Sequence, residues 1–268
     1  MELLFLGTGA PDWQKATGFK RRYASLLLDG TLLIDPNAMI PQAMQDCGVD
    51  RTRITAVLVT HTHGDHFCPE SISCLAPVTV YGDDACSALC PERFTPLTCG
   101  VPIRIGSFTV TAVPANHMAG DTAETALHYV IEKDGQTLFY GNDGAWIMSK
   151  AFTFMNQHRF DCMILDCTVN GSGGNAPDGS TTFFANFDQD GVSVIETTSH
   201  NCVAMATALR ELFLSIGMAD HKTLFIANHL AWHGFPDMET ACAVLEPRGF
   251  LVPYDGLALR LFSEQNGQ

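Results

Sequence analysis

The chain has 268 residues and carries 15 Lys and Arg against 29 Asp and Glu, a net charge of −14. That acidic balance argues against a long nucleic acid as partner, because nucleic-acid binders present basic surfaces; the basic run "FKRRY", Phe19 to Tyr23, reads mostly as a solvated loop. No apolar stretch approaches the roughly 18 residues of a membrane span, so no membrane partner is expected.

"MELLFLGTGAP" opens with an acidic Glu2 and a run of only four apolar residues, which reads as a first strand and not as an export signal. A cytoplasmic protein is therefore expected, with its 10 Cys reduced and buried as small hydrophobes. Cys86, Cys90 and Cys99 are spaced poorly for a structural metal. Further strand candidates follow as "ASLLLDG", "TLLID", "ITAVLVT", "VTVYG", "FTVTAVP", "ALHYVIE", "QTLFYG", "CMILD", "VSVIETT", "TLFIAN", "FLVPY" and "ALRLF". Helix candidates between them are "NAMIPQAMQDCG", "PESISCLA", "DDACSALC", "AWIMSKAFTFMNQH", "CVAMATALRELFLSIG" and "DMETACAVLEPRG". The fifth is the clearest, since its apolar positions recur every three to four residues and Gly217 ends it. Strands interleaved with helices imply a layered α/β architecture, and the adjacent strands of the middle region imply mixed sheets. No repeat, Pro/Ser linker or charge block divides the chain, so one domain over residues 1–268 is expected. The segment Thr168 to Thr182 is almost devoid of apolar residues and is either a substrate-covering loop or a disordered insertion.

The stretch "VLVTHTHGDHF" places His61, His63, Asp65 and His66 directly after an apolar strand. Imidazole and carboxylate are the ligands of zinc and other borderline divalent ions. His61 and His63 are two apart in extended chain, so both can face one ion, while Asp65 and His66, at the expected start of helix "PESISCLA", point to a neighbouring volume. Four apolar strands beside "AVLVT" also run into a His or Asp: His117 after "FTVTAVPAN", Asp143 after "TLFYGN", His200 after "VSVIETTS" and His229 after "TLFIAN". In layered α/β folds sites form beyond the carboxyl ends of strands, so these residues converge on one centre.

The HxHxDH spacing resembles the metallo-β-lactamase superfamily, and the resemblance spans nearly the whole chain. It implies a four-layer αβ/βα sandwich of two mixed β-sheets with a dinuclear site at one edge. It further implies a first metal held by His61, His63 and His117, a second held by Asp65, His66 and His229, and a bridging Asp143. Asp35, ending "TLLID", matches an acidic position that orients a ligand from behind. "LGTGAP", Ser199–His200, "NHLAWH" and the terminal "YDG" resemble the phosphodiesterase branch that contains tRNase Z and the cyclic-phosphate phosphodiesterase of the carbon–phosphorus lyase pathway. A His at the position of His200 there contacts phosphate or acts as acid/base. The chain has neither the N-terminal cysteine trio of the second enzyme nor the long basic arm of the first.

The expectation is thus a metal-dependent hydrolase with two divalent ions per chain, zinc first and Mn, Fe, Co or Ni as alternatives. Its substrate would be a small anionic ester, foremost a phosphodiester, attacked by a metal-bridging hydroxide that Asp65 and Asp143 orient. His200 or His233 would protonate the leaving oxygen. A lactone, thioester or amide hydrolase on the same site, or a non-catalytic metal-binding protein, are the competing readings. A homodimer is compatible with the sequence.

Overall fold

The computed structural model describes residues 1–11, 20–75, 77–90, 93–119, 123–170, 199–232 and 234–262. The expected strand "VSVIETT", residues 171–182 of the expected loop, and His233 lie outside the described residues.

Two sheets form among the described residues. The first orders β13 (Ala258–Arg260), β1 (Glu2–Gly7), β2 (Ser25–Leu28), β3 (Leu32–Ile34), β4 (Ala56–Leu58), β5 (Thr79–Gly82) and β6 (Phe94–Pro96). The second orders β12 (Leu224–Asn228), β11 (Cys162–Asp166), β10 (Gln136–Gly141), β9 (Leu127–Lys133), β8 (Phe108–Pro114) and β7 (Ile103–Ile105). From β13 to β3 the first sheet is antiparallel, and from β3 to β6 it is parallel. The second is parallel from β12 to β10 and antiparallel from β10 to β7. Both sheets are mixed, as expected.

Period-two alternation along the strands sorts their side chains into separate cores. Leu3, Phe5, Ala56 and Leu58 of the first sheet meet Leu127, Tyr129, Leu138, Tyr140, Cys162 and Ile164 of the second in a central layer. The alternate residues Leu27, Leu33, Val57 and Val59 face outward onto α1 (Ile40–Asp46) and α2 (Pro69–Ser73), through Ile40, Ala43, Met44 and Ile72. On the far side, Val130, Phe139, Met163 and Leu165 pack against α3 (Ser149–Met155), α4 (Val203–Ser215) and α5 (Met238–Leu245). Helix, sheet, sheet, helix is the four-layer sandwich. Helix α4 buries Val203, Ala206, Leu209 and Phe213, the three-to-four spacing legible in its sequence. Gly217, at φ +72°, ends that segment as expected, its N–H bonded to the Leu214 carbonyl. Asp237 caps α5 by accepting from the Thr240 N–H at 2.7 Å.

Several expectations change. "DDACSALC" forms only a 3-10 turn, Asp84–Ala88. "FLVPY" contributes one bridge, Leu251 to Ile226, because Pro253 interrupts the ladder on its far side. The three-residue strands β6 and β7 were too short to show a period. Asp65 and His66 lie on a turn before α2, not at its start: Pro69 begins the helix, and the His63 carbonyl takes the His66 and Phe67 N–H groups at 2.9 Å each. In "FKRRY", Arg21 is buried and donates to the Phe235 carbonyl at 2.8 Å, and Arg22 pairs with Asp46, so the run is mainly structural. The cysteines divide: Cys86, Cys162, Cys167 and Cys202 are buried, whereas Cys74 is exposed and the others are half-buried. No helix among the described residues is long and apolar enough to cross a membrane.

Candidate metal centre

Chain direction brings the carboxyl ends of β3, β4, β8, β10, β11 and β12 to one edge of the sandwich. The residues that follow or end these strands are Asp35, His61, His117, Asp143, Asp166 and His229. Three of them adopt left-handed backbone: Asp35 at φ +58°, Asp143 at +47° and His229 at +60°. Among the described residues, the other non-glycine residues in that region are Asp29 and Asp134, each followed by glycine in a tight turn, where Asp-Gly is the ordinary choice. At the strand ends no turn explains the conformation. The chain turns sharply there and aims a donor inward, the pattern of backbone strain held at functional sites.

The donors form overlapping sets. In one, His61 Nε2 lies 2.9 Å from His63 Nδ1, and His117 Nε2 lies 3.2 Å from the same atom. Asp143 Oδ2 stands 3.5 Å from His61 Nε2 and 3.6 Å from His117 Nε2. In the second, His66 Nε2 lies 3.0 Å from Asp143 Oδ2, 3.1 Å from Asp65 Oδ2 and 3.4 Å from His229 Nε2. His229 Nε2 is also 3.4 Å from Asp65 Oδ2. Within each set the ligand atoms fall inside 4.8 Å of one another, and Asp143 belongs to both. A third set joins Asp143 and His229 to Asp166 and His200. His200 Nδ1 is 3.0 Å from Asp166 Oδ2. Every metal-site residue expected from sequence is therefore in the centre, and His200 borders it.

Hydrogen bonds fix the imidazoles from behind. Asp35 Oδ2 takes His66 Nδ1 at 2.9 Å, while Asp35 Oδ1 accepts from Thr60 N and Oγ1, both at 2.9 Å. Thr60 Oγ1 in turn lies 3.0 Å from His61 Nδ1. The same device recurs at the opposite sheet: Asp166 Oδ1 accepts from Thr168 N and Oγ1 at 2.9 Å, and Thr168 Oγ1 lies 2.8 Å from His229 Nδ1. His117 Nδ1 is held by the Ser199 carbonyl at 2.8 Å. The Asp143 carbonyl accepts from His128 Nε2 at 3.2 Å. Such partners set tautomer and ring direction. Asp166 was absent from the sequence-based site although it ends "CMILD"; the strand-end rule that selected Asp143 would have found it.

Burial and charge divide the imidazoles. Burial, reinforced by His66, pushes His61 well below its ordinary range despite Asp143. His117 is likewise lowered, mainly by burial. His66 is also desolvated, yet Asp143, Asp65 and Asp35 outweigh that and raise it well above the usual value. For His229, burial is outweighed by Asp143, Asp65 and Asp166, which bring it to about 10. Burial would raise Asp65 and Asp143, but facing imidazoles hold both below the carboxylate range.

The donor chemistry fits divalent cations that accept nitrogen and oxygen ligands. Asp143 Oδ1 supplies a second sign: it is buried without a hydrogen bond among the described residues, although His229 Nδ1 is only 2.9 Å away. A buried carboxylate oxygen aimed at imidazole nitrogens outside hydrogen-bond geometry suits an ion's coordination shell.

Residues 31–173 match the family model described as a β-lactamase superfamily domain. That span holds "HTHGDH", His117, Asp143 and Asp166, and stops before His200 and His229. No curated protein matches the chain in sequence. Among solved structures, zinc-bound PqqB from Methylobacterium extorquens superposes with a TM-score of 0.72 at 18% identity, covering 97% of this chain and 100% of that one. YhfI from Bacillus subtilis, a metallo-β-lactamase fold protein, gives 0.65 at 15% identity, covering 96% and 98%. The short form of human tRNase Z gives 0.62 at 15% identity, covering 98% and 100%. With the matched domain, the two-sheet sandwich and the His/Asp cluster at its edge, the chain belongs to the β-lactamase superfamily and has the metallo-β-lactamase fold.

Proposed function

We propose that the protein is a metal-dependent hydrolase holding two divalent ions, with small phosphodiesters as its substrates. The observation that carries this reading is Asp143, whose carboxylate enters both donor sets and can bridge two ions. His61, His63 and His117 would hold the first ion, and Asp65, His66 and His229 the second. Zinc is the first choice, supported by the similarly folded zinc-bound PqqB. Bound there, such ions polarise an ester oxygen and lower the pKa of water.

The chain's own residues supply the rest. Asp166 holds His200 by Nδ1, leaving the other ring nitrogen, which has no hydrogen bond among the described residues, to give a proton to the leaving oxygen. Asp65, placed against both His66 and His229, keeps negative charge at the water side of the site. The tRNase Z among similarly folded structures supports the phosphodiester reading. Net charge −14 disfavours a long polyanion and favours a small ester. A second reading, hydrolysis of a lactone, thioester or amide, uses the same donor sets, since ions held there would polarise a carbonyl oxygen as they would a phosphoryl one.

Hydrolysis of bis(p-nitrophenyl) phosphate by metal-loaded protein, set against simple lactones and thioesters, tests the choice. Faster turnover of the carbonyl substrates would replace the phosphodiester reading. His200→Ala is expected to lower turnover by roughly 10²–10⁴ with both metals retained. Near wild-type activity would remove His200 from the mechanism, and metal loss would make it a ligand.

A further inference from the structure

Thr62 separates the donors His61 and His63, yet neither of its polar groups faces the centre. Its N–H and its hydroxyl both donate to Glu124, to Oε1 and Oε2 at 2.6 Å each. Glu124 stands three residues before β9, in the connection that follows His117. Strand β9 also grips the chain next to Thr62: Leu127 N–H donates to the Thr60 carbonyl at 2.9 Å, and the Tyr129 hydroxyl donates to the Val59 carbonyl. Residues 59 to 62 are thus tied across the sandwich, and Glu124 is the tie that reaches beyond the strand. Side chains of extended chain alternate in direction. With Thr62 drawn toward Glu124, its two neighbours turn the other way.

We propose that Glu124 is a positioning residue for the first half of the centre: by engaging both polar groups of Thr62 it holds His61 and His63 on the inner side of their loop and couples that loop to the segment carrying His117. The inference rests on the reading of the centre as a metal site. Cys86 completes the latch. Its fully buried Sγ lies 3.9 Å from Glu124 Oε1, and burial, then Glu124 and Asp83, push the thiol up to about 12, so it stays protonated as a donor. This gives Cys86 a place that its spacing to Cys90 and Cys99 did not.

The test is calorimetric titration with Zn²⁺, run on the full chain and again in a His229→Ala background that isolates the first half. Glu124→Ala is expected to weaken the first ion by roughly 10–100-fold, the usual loss for a partner behind a ligand, and to leave the second unchanged. Glu124→Gln restores affinity, because its carbonyl can accept from the Thr62 N–H while its amide donates to the hydroxyl oxygen. Thr62→Val weakens the same ion and adds nothing further to Glu124→Ala, as expected of one shared interaction. Unchanged affinity in Glu124→Ala, or equal loss at both ions, overturns the proposal. If the wild-type chain binds no Zn²⁺, the metal-centre reading fails, and the latch is read from hydrogen exchange of the Thr62 amide. Glu124→Ala should accelerate that exchange; equal rates overturn the latch as well.

Discussion

The two halves of the centre share Asp143 but differ in what surrounds it. The first half has three imidazoles, of which His61 and His117 are pushed toward the neutral form by burial. The second half interleaves His66 and His229 with Asp65 and Asp143, and Asp35 and Asp166 stand behind it. There the imidazoles are held as cations. One half is therefore ready for an ion, whereas the other holds protons where the ion would sit. Similar donors at similar spacing need not have similar affinity, because the charge behind the ligands decides which protonation state must be displaced.

The largest effect should come from removing what the halves share. Asp143→Ala is expected to weaken both ions by about 100-fold or more, beyond the loss that an outlying partner causes. Elemental analysis after dialysis checks it, and one tightly retained ion would show that the halves do not meet at Asp143. A smaller, one-sided effect is expected at Asp35, which touches only His66 among the donors through Oδ2. Asp35→Asn should weaken the second ion roughly 10-fold to 100-fold and spare the first. Loss of both would instead mean that the Asp35–Thr60–His61 chain of hydrogen bonds carries as much as the His66 bond. The mildest test is pH. His229 must give up a proton held with a pKa of about 10. Apparent affinity of the second half should therefore rise with pH, about tenfold per unit for each proton displaced, up to that value. Affinity of the first half should respond less to pH over that range, because burial already pushes His61 and His117 toward the neutral form. Calorimetry in buffers of different ionisation enthalpy counts the released protons, and equal counts at the two halves would erase the contrast.

Much of this arrangement was legible in the sequence. "HTHGDH" and the strand-terminal His117, Asp143 and His229 occupy the positions their pattern implied, because strand direction alone carries such residues to one edge. Asp166 is equally legible, since it ends the apolar strand "CMILD". Glu124 and His128 were not legible. Glu124 acts on Thr62, far away in sequence, and that pairing exists only once the two sheets have packed, whereas His128 reaches the Asp143 carbonyl from the neighbouring strand of the same sheet, through a register that no motif marks. The helix expected in "PESISCLA" begins at Pro69 as its sequence implied, but Asp65 and His66 do not lie at its start, because a turn closed on the His63 carbonyl separates them from it.

The left-handed backbone at Asp35, Asp143 and His229 has a consequence for how the protein tolerates change. Glycine would relieve each position, and an ordinary screen for thermostability would reward that exchange. Each such gain would delete a donor or its support. The centre is thus a place where selection for folding and selection for chemistry pull in opposite directions, at three residues contributed by three different strands. A lineage that lost its need for the chemistry would drift toward glycine there first, while its hydrophobic layers stayed intact.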